Sequence, residues 1–126
     1  MRGIDVMKPA NRGARLRVRV VLREGAALGP GKADLLEGIR ESGSISAAGR
    51  RMRMSYKRAW QLVDELNGLF REPLVRASTG GSGGGGAILT PLGEEVLARF
   101  RRIEARSSRA SASEMTALRA RLARKR

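Results

Sequence analysis

The sequence has 126 residues, the length of one ordinary domain, and its 26 Lys and Arg against 12 Asp and Glu give a formal charge of +14. An excess of this size repels itself in a compact fold and indicates an anionic partner: nucleic acid first, an anionic membrane surface second, with a merely solvated basic surface as the alternative. Cys and His are absent, which excludes thiol catalysis, Ser–His relays, zinc fingers and His-ligated metals.

The N-terminal segment shows no targeting signal. No apolar run approaches the ~20 residues that span a bilayer, and the first 15 residues lack the apolar core of a signal peptide. We therefore expect a soluble cytoplasmic protein. Residues 1–13 mix Gly, Pro, Asn and charge and predict a flexible N-terminal arm.

The first regular element is predicted to be a strand in the run RLRVRVVLR, residues 15–23. Its apolar residues alternate with arginines, which is the period of a half-buried strand. The alternating sets are Leu16, Val18, Val20 and Leu22 against Arg15, Arg17 and Arg19. The run GAALGPG that follows is interpreted as a turn.

Three helices are predicted next. KADLLEGIRESG has an apolar stripe and ends at Gly43, a plausible helix cap. Ser44 is suited to cap a short helix, ISAAGRRM, and Ser55 to cap a third, YKRAWQLVDELNGLF. Two helices joined by a tight turn, the second presenting its N-terminal residues, are typical of a helix-turn-helix.

The third helix has distinct faces when its residues are placed about 100° apart. An apolar stripe would face the core; it consists of Ala59, Leu62, Val63, Leu66 and Phe70. Lys57 and Gln61 point away from that stripe, Arg58 lies on one flank, and Tyr56 and Trp60 lie on the other. We expect Trp60 to belong to the core, whereas Tyr56 fits packing at the helix edge as well as contact with a sugar or phosphate.

The charge pattern supports a nucleic-acid interface in this region. From Ser42 to Val63 there is no acidic residue, while five basic residues occur there. They are Arg50, Arg51, Arg53, Lys57 and Arg58. Each one alone would be interpreted as a solvated surface residue, but the cluster within a helix-turn-helix favours contact with phosphates.

The glycine tract in ASTGGSGGGGAILTP, residues 77–91, is predicted to be the tip of a β-hairpin. PLVRAS before it and AILT after it have the length and residue types of short strands. A nucleotide-binding loop is disfavoured because a strand follows and Gly86 precedes Ala87 rather than Lys. A linker is disfavoured because too little chain follows it for a second core. A hairpin directly after a helix-turn-helix is a wing.

The last predicted element is a long helix, PLGEEVLARFRRIEA, with Thr90 as cap and Pro91 in its first turn. Its expected buried residues are Leu92, Val96, Leu97, Phe100 and Ile103. Residues 106–126 form a Ser-rich and then basic tail that fits a helical extension, contact with DNA or a partner, or disorder. The order of elements predicts a mainly α, α+β winged helix-turn-helix over residues 14–105, in which the leading strand pairs with the wing.

These assignments predict a two-layer DNA interface. Lys57, Arg58 and Gln61 are expected at base edges, because basic side chains suit guanine and Gln suits adenine. The remaining predicted DNA-binding residues are Ser46, Arg50, Arg51, Arg53, Ser55, Tyr56, Arg76, Thr79, Gly80, Gly81, Ser82 and Gly83. Of these, the arginines and the wing backbone are expected to contact phosphates.

A family resemblance rests on the same residues. The run GSISAAGRRMRMSYKRAWQLVDELN, followed by LVRASTGGSGGGGAILTPLGEEVL, resembles the DNA-binding domain of the ModE family of molybdate-responsive bacterial transcriptional regulators. The resemblance extends from about Arg15 to Ala105, and the LTPLG junction is shared more widely with LysR-type winged helices.

The resemblance implies a homodimer, formed through the first and C-terminal helices, on an inverted-repeat operator. It places Ser55, Tyr56, Lys57, Arg58 and Gln61 at the major groove and implies control of molybdenum transport or molybdoenzyme genes. Full-length members carry C-terminal molybdate-binding domains with a Ser-Ala-Arg-Asn type motif, which SASEM in this tail does not match. For this chain we therefore expect no cofactor and no metal, and either a separate sensor protein or constitutive binding.

Other classes of function stay open. An architectural DNA- or RNA-binding protein would use the same basic surface without an operator, and the basic tail suits a protein-interaction or membrane-surface module. An enzyme is not expected, because the adjacent pair Glu94 and Glu95 would diverge on a helix and no other polar group converges with them.

Overall fold

The computed structural model describes residues 13–81 and 84–125, which form five helices and two small antiparallel hairpins. Most of the arm predicted over residues 1–13 therefore lies outside the described residues. In chain order the elements are β1 (Val20–Arg23), β2 (Ala26–Leu28), α1 (Pro30–Ser42), α2 (Ile45–Arg51), α3 (Tyr56–Leu69), β3 (Val75–Gly81), β4 (Gly84–Leu89), α4 (Pro91–Ala110) and α5 (Ala112–Ala120). This is the predicted α+β, mainly helical winged helix-turn-helix.

The partner of the leading strand was predicted incorrectly. β1 pairs with β2 rather than with the wing, and β2 lies in the segment interpreted as a turn. A two-residue loop joins the strands, and Gly25 in it has a φ of 81°, which glycine adopts without strain. Pairing across so short a loop costs little chain entropy, whereas the wing is some fifty residues further along. The strand also begins at Val20 rather than at Arg15.

The helix boundaries follow the predicted caps. The Ser44 hydroxyl accepts a hydrogen bond from the Ala47 N–H, and the Ser55 hydroxyl accepts one from the Arg58 N–H, each at 3.0 Å. Gly43 ends α1 in the left-handed conformation, with a φ of 73°. These three residues fix the spacing of the first three helices because each one satisfies backbone groups that a helix end leaves unpaired.

β3 and β4 form the predicted wing hairpin, pairing from Val75 with Leu89 to Gly81 with Gly84. The wing is attached to the end of α1: the Ala87 N–H donates to the Gly43 carbonyl oxygen at 2.9 Å. The hairpin thus leaves the body of the domain at the point where α1 turns into α2.

One core holds the helices and the wing base together. Its largest fully buried side chains are Leu35, Leu36, Ile39, Leu66, Leu74, Leu97 and Phe100. The expected burial of Ile103 was wrong, since its side chain is 39% exposed beyond the last turn that packs on the core. α4 continues past residues 105 and 106, where a domain boundary was predicted, and ends at Ala110.

Over the described ranges, no helix is both long enough and apolar enough to cross a membrane.

Candidate nucleic-acid interface

The helix-turn-helix formed by α2 and α3 is packed closely enough to require small residues. A Cβ on Gly49 would lie 2.9 Å from the Ala59 Cβ, and one on Gly38 would lie 3.0 Å from the Ala48 Cβ. Real Cβ atoms essentially never approach to 2.9 Å and seldom approach to 3.0 Å, so the two glycines let Ala48 and Ala59 pack directly against the backbones of α1 and α2. This close packing fixes the orientation of α3 relative to the domain.

The turn between α2 and α3 contains Arg53 in the left-handed conformation, with a φ of 58°. The Arg53 N–H donates to the Arg50 carbonyl oxygen at 3.0 Å, and the Met54 N–H donates to Gly49 at the same distance. These hydrogen bonds hold a conformation that a non-glycine residue adopts at a cost. The Arg53 side chain is exposed.

The outward face of α3 is polar and accessible, as predicted. Lys57 and Gln61 are exposed opposite the buried stripe of Ala59, Leu62, Val63 and Leu66, and Arg58 is exposed on the flank. Arg53 and these three side chains form no side-chain hydrogen bond or ion pair with another described residue. They are therefore free to meet a ligand.

The other two arginines of the cluster already have partners. Arg50 Nη1 donates to the Ser46 hydroxyl at 2.9 Å, and Arg51 Nη2 lies 2.8 Å from Glu41 Oε1 at the end of α1. The five basic residues of the cluster therefore differ in their partners. Arg50 is held by the Ser46 hydroxyl, and the charge of Arg51 is partly balanced by Glu41, whereas the other three have no side-chain partner among the described residues.

Trp60 was predicted to lie in the core, and this prediction was wrong. Its side chain is 41% exposed, and it contacts Tyr56, which is 61% exposed, edge to face with the ring centres 6.1 Å apart. The flank placement follows from the helical period, but that flank stays partly open to solvent, so the indole is not enclosed in the core. Composition gave a weak signal: a domain with few aromatics that places two at one helix turn is unusual.

The wing is anchored to the C-terminal half of α3 by Asn67. Its side-chain oxygen accepts from the Leu74 and Val75 N–H groups at 2.9 and 3.0 Å, and its amide donates to the Val75 carbonyl at 3.1 Å. Sequence reasoning missed Asn67, because an Asn in a helix is ordinarily interpreted as a surface residue. The three bonds make the wing start at a fixed point beside α3.

The wing residues predicted to bind DNA are only partly described. Arg76 is exposed and pairs across the hairpin with the exposed Ile88. Thr79, Gly80 and Gly81 lie in β3, while Ser82 and Gly83 lie outside the described residues. A Cβ on Gly86 would lie 2.8 Å from the Ser78 Oγ and 3.2 Å from the Gly43 carbonyl oxygen, so glycine is needed where the wing meets α1.

Acidic residues are concentrated elsewhere, between α1 and α4. Arg101 donates from Nη2 to Asp34 at 2.8 Å and to Glu37 at 2.9 Å, and from Nη1 to Glu104 at 2.9 Å. Burial lowers the pKa of the Arg101 guanidinium, but its hydrogen bonds to Asp34 and Glu104 and the charges of Glu104 and Glu37 outweigh that effect and raise the pKa. Arg101 therefore stays charged at every ordinary pH.

A helix-turn-helix with an exposed basic second helix and an adjoining wing defines a winged helix-turn-helix domain, a class of protein that binds double-stranded DNA. Comparison with known proteins agrees with this class. Residues 33–94 match the family model of the bacterial regulatory helix-turn-helix proteins of the lysR family, so this part of the chain is similar to that family.

Among curated proteins, the chain is similar to ModE and Mop proteins, which confirms the resemblance predicted from the motifs. It is 48% identical over 86 residues to the molybdenum-pterin-binding protein MopB of Rhodobacter capsulatus, covering 68% of this chain and 32% of MopB. It is 42% identical over 80 residues to the molybdenum transport protein ModE of Azotobacter vinelandii, covering 64% and 30%. It is 44% identical over 68 residues to the DNA-binding transcriptional dual regulator ModE of Escherichia coli K12, covering 54% and 26%. The chain thus spans about a third or less of these relatives.

Proposed function

We propose that this chain is a sequence-specific DNA-binding regulator of transcription and not an enzyme. The observation that supports this most strongly is the exposed N-terminal half of α3, whose Lys57, Arg58 and Gln61 have no partner among the described residues. Free donors at the start of a helix beside a wing match the way this class enters the major groove.

The predicted residues would act in two layers. Arg50, Arg53 and Arg76, together with the backbone of the wing, would fix the register on phosphates without reading sequence. Arg51 would contribute less, because its guanidinium is already paired with Glu41. Lys57, Arg58 and Gln61 would read base edges, the basic side chains at guanine and Gln61 at adenine.

The protein would act as a homodimer on an inverted repeat, with the two α3 helices in successive major grooves ~34 Å apart. The apolar side chains of α1 are buried in its own domain, so α4 and α5 would supply most of the apolar contact area. Ile103 and Leu118 are the large apolar side chains exposed on these helices, and Leu122 is exposed just beyond the end of α5. A molar mass of twice 13.7 kDa by light scattering would support this arrangement.

The regulated genes would serve molybdenum transport or molybdoenzymes. This part of the proposal rests on the names of the relatives, which include a molybdenum transport protein and a molybdenum-pterin-binding protein. Control by a separate molybdate sensor and constitutive binding are both compatible with it.

Selection of bound duplexes from a random pool, followed by sequencing, would test the proposal. The selection is run at one salt concentration, with and without molybdate. An enriched inverted repeat would support a dimeric regulator, and a molybdate-dependent enrichment would assign sensing to this chain. Equal recovery of all sequences, with a steep salt dependence alone, would support an architectural protein instead.

Gln61→Ala tests whether α3 reads bases. We expect binding to the selected site to weaken by ~1–3 kcal/mol and the preference to relax at one base pair, because one bidentate contact to a base edge is lost. The measurement is the affinity for the selected site and for each of its single-base variants. A uniform loss across all variants would show that Gln61 does not read a base.

A further inference from the structure

Two of the four aromatic side chains of this protein lie on its surface, and they touch each other. Phe100 is buried and Phe70 half-buried, whereas Tyr56 and Trp60 are 61% and 41% exposed at the start of α3. Their rings meet edge to face, with an interplanar angle of 69°. This pair is the aromatic surface that the domain offers next to its predicted base-reading residues.

The pair lies on the side of α3 that faces the base of the wing. Tyr56, Trp60 and Asn67 fall on one row of the helix, because steps of four and seven residues return to nearly the same direction. Asn67 on that row hydrogen-bonds to Leu74 and Val75 at the start of β3. The aromatic pair therefore borders the space between α3 and the wing, rather than the α2 side.

The geometry of the major groove decides what such a flank would meet. A helix with its side chains is about 10–12 Å across, and the groove is about 12 Å wide, so a helix pointing Lys57 and Gln61 at the bases presses its flanks towards the two sugar-phosphate walls. An aromatic ring there can cover deoxyribose carbons, and the indole N–H and phenol O–H can donate to phosphate oxygens.

We propose that Trp60, braced by Tyr56, packs against the sugar-phosphate backbone of one DNA strand and supplies a non-ionic part of the binding affinity. The proposal deepens the proposed function and depends on it. Trp60, which was expected to lie in the core, would thus contact DNA, and Tyr56 would support its ring.

Charge identifies DNA as the occupant. No acidic residue occurs from Ser42 to Val63, and the exposed charged side chains nearest in sequence to the pair are Arg53, Lys57 and Arg58. A neutral aromatic pair within cationic surroundings complements a polyanion whose sugars are apolar. The first acidic residue, Asp64, lies one helical turn beyond Trp60, which confines the contact to the N-terminal half of α3.

Trp60 is the sole tryptophan of the chain, so its fluorescence reports on this site alone. The wild-type protein is titrated with an unlabelled duplex carrying the selected site, or with random duplex if selection yields none. Emission and quenching by acrylamide are recorded, acrylamide being neutral and thus unaffected by the +14 charge. We expect acrylamide quenching to fall as the duplex covers the indole. Anisotropy of a labelled copy of the duplex reports binding independently.

The variant Trp60→Ala separates this contact from an ionic one. We expect its affinity to fall about tenfold at every salt concentration, because an apolar contact is lost and no counterion release changes. Arg53→Ala, at a predicted phosphate contact, serves as the ionic comparison and should lower the slope of log affinity against log salt by about one. Val21→Ala, at an exposed apolar site on β1 away from the proposed DNA and dimer contacts, is the matched control and should leave affinity unchanged.

The outcomes distinguish this proposal from the one it rests on. Binding seen by anisotropy, with unchanged quenching of Trp60 and unchanged affinity of Trp60→Ala, would overturn the aromatic contact and leave DNA binding intact. Absence of binding by anisotropy would overturn both. If Trp60→Ala proves unfolded by circular dichroism, the quenching result on the wild-type protein decides.

Discussion

At the scale of single residues, Arg53 combines a strained backbone with an exposed charge that has no partner in the described part of the chain. The left-handed conformation costs an ordinary residue roughly 1–2 kcal/mol, which glycine would avoid. The turn nevertheless carries an arginine between α2 and α3, next to the predicted base-reading residues. Strain at an exposed charged residue favours a role for the side chain outside the fold.

Arg53→Gly should therefore improve folding and impair binding. We expect a net gain of roughly 0.5–1 kcal/mol in the free energy of unfolding, since relief of strain exceeds the added flexibility of the unfolded chain. We also expect weaker DNA binding and a salt slope lower by about one. Thermal unfolding and salt-dependent binding measure the two effects. Arg53→Ala is the control: it should lose the same affinity without the gain in stability.

Gly93, in the first turn of α4, is required for a different reason. A Cβ there would overlap the carbonyl oxygen of Leu74, and the Gly93 N–H donates to the Thr90 hydroxyl that caps the helix. We expect Gly93→Ala to destabilise the protein by ~2 kcal/mol or more, because the wing base must move.

Gly68→Ala provides the matched control in another helix. A Cβ on Gly68 would have no neighbour within 4 Å, so the change should stabilise α3 by about 0.5–1 kcal/mol. Chemical denaturation measures both variants. Equal effects of the two substitutions would refute the proposed contact between α4 and the base of the wing.

At the scale of elements, the sequence predicted the helix starts, because capping residues close by in the chain determine them. Ser and Thr commonly cap a helix when they directly precede an amphipathic run. The starts of α2, α3 and α4 could therefore be placed after Ser44, Ser55 and Thr90. β2 could not be predicted from the sequence, because its three residues lie between glycines and form a strand only by pairing with β1. Its composition indicates a turn, and the contact that overrides it is tertiary.

The candidate site was predictable to a similar extent. The outward positions of Lys57 and Gln61 follow from the helical period alone. The exposure of Trp60 does not, because it depends on whether another element covers that flank. The pairing of Arg51 with Glu41 depends likewise on where the end of α1 lies beside α2.

The packing of α4 on α1 gives a prediction for Arg101, which joins the two helices through Asp34 and Glu37. Arg101→Ala should cost about 2–4 kcal/mol in the free energy of unfolding, because it leaves half-buried carboxylates close together without their cation. Arg99→Ala, which removes an exposed pair with Glu95, should cost only ~0.3–0.5 kcal/mol. Urea denaturation measures both, and similar values would contradict a structural role for Arg101.

At the scale of the whole molecule, the two signs of charge are used differently. The acidic residues around Arg101 are paired inside the contact between α1 and α4, whereas Arg53, Lys57 and Arg58 are exposed without partners among the described residues. Apart from Arg51, which is paired with Glu41, the positive charge of the helix-turn-helix has no acidic partner among the described residues. A second basic region, residues 106–125, is also exposed, so net charge alone does not identify which surface binds DNA.

Mapping of amide chemical shifts on a labelled protein, titrated with a short duplex at moderate salt, separates these surfaces most directly. We expect the largest changes from Arg50 to Gln61 and in the wing, with smaller changes in α5. Changes confined to residues 106–125, with α3 unaffected, would contradict it and assign DNA binding to the basic tail.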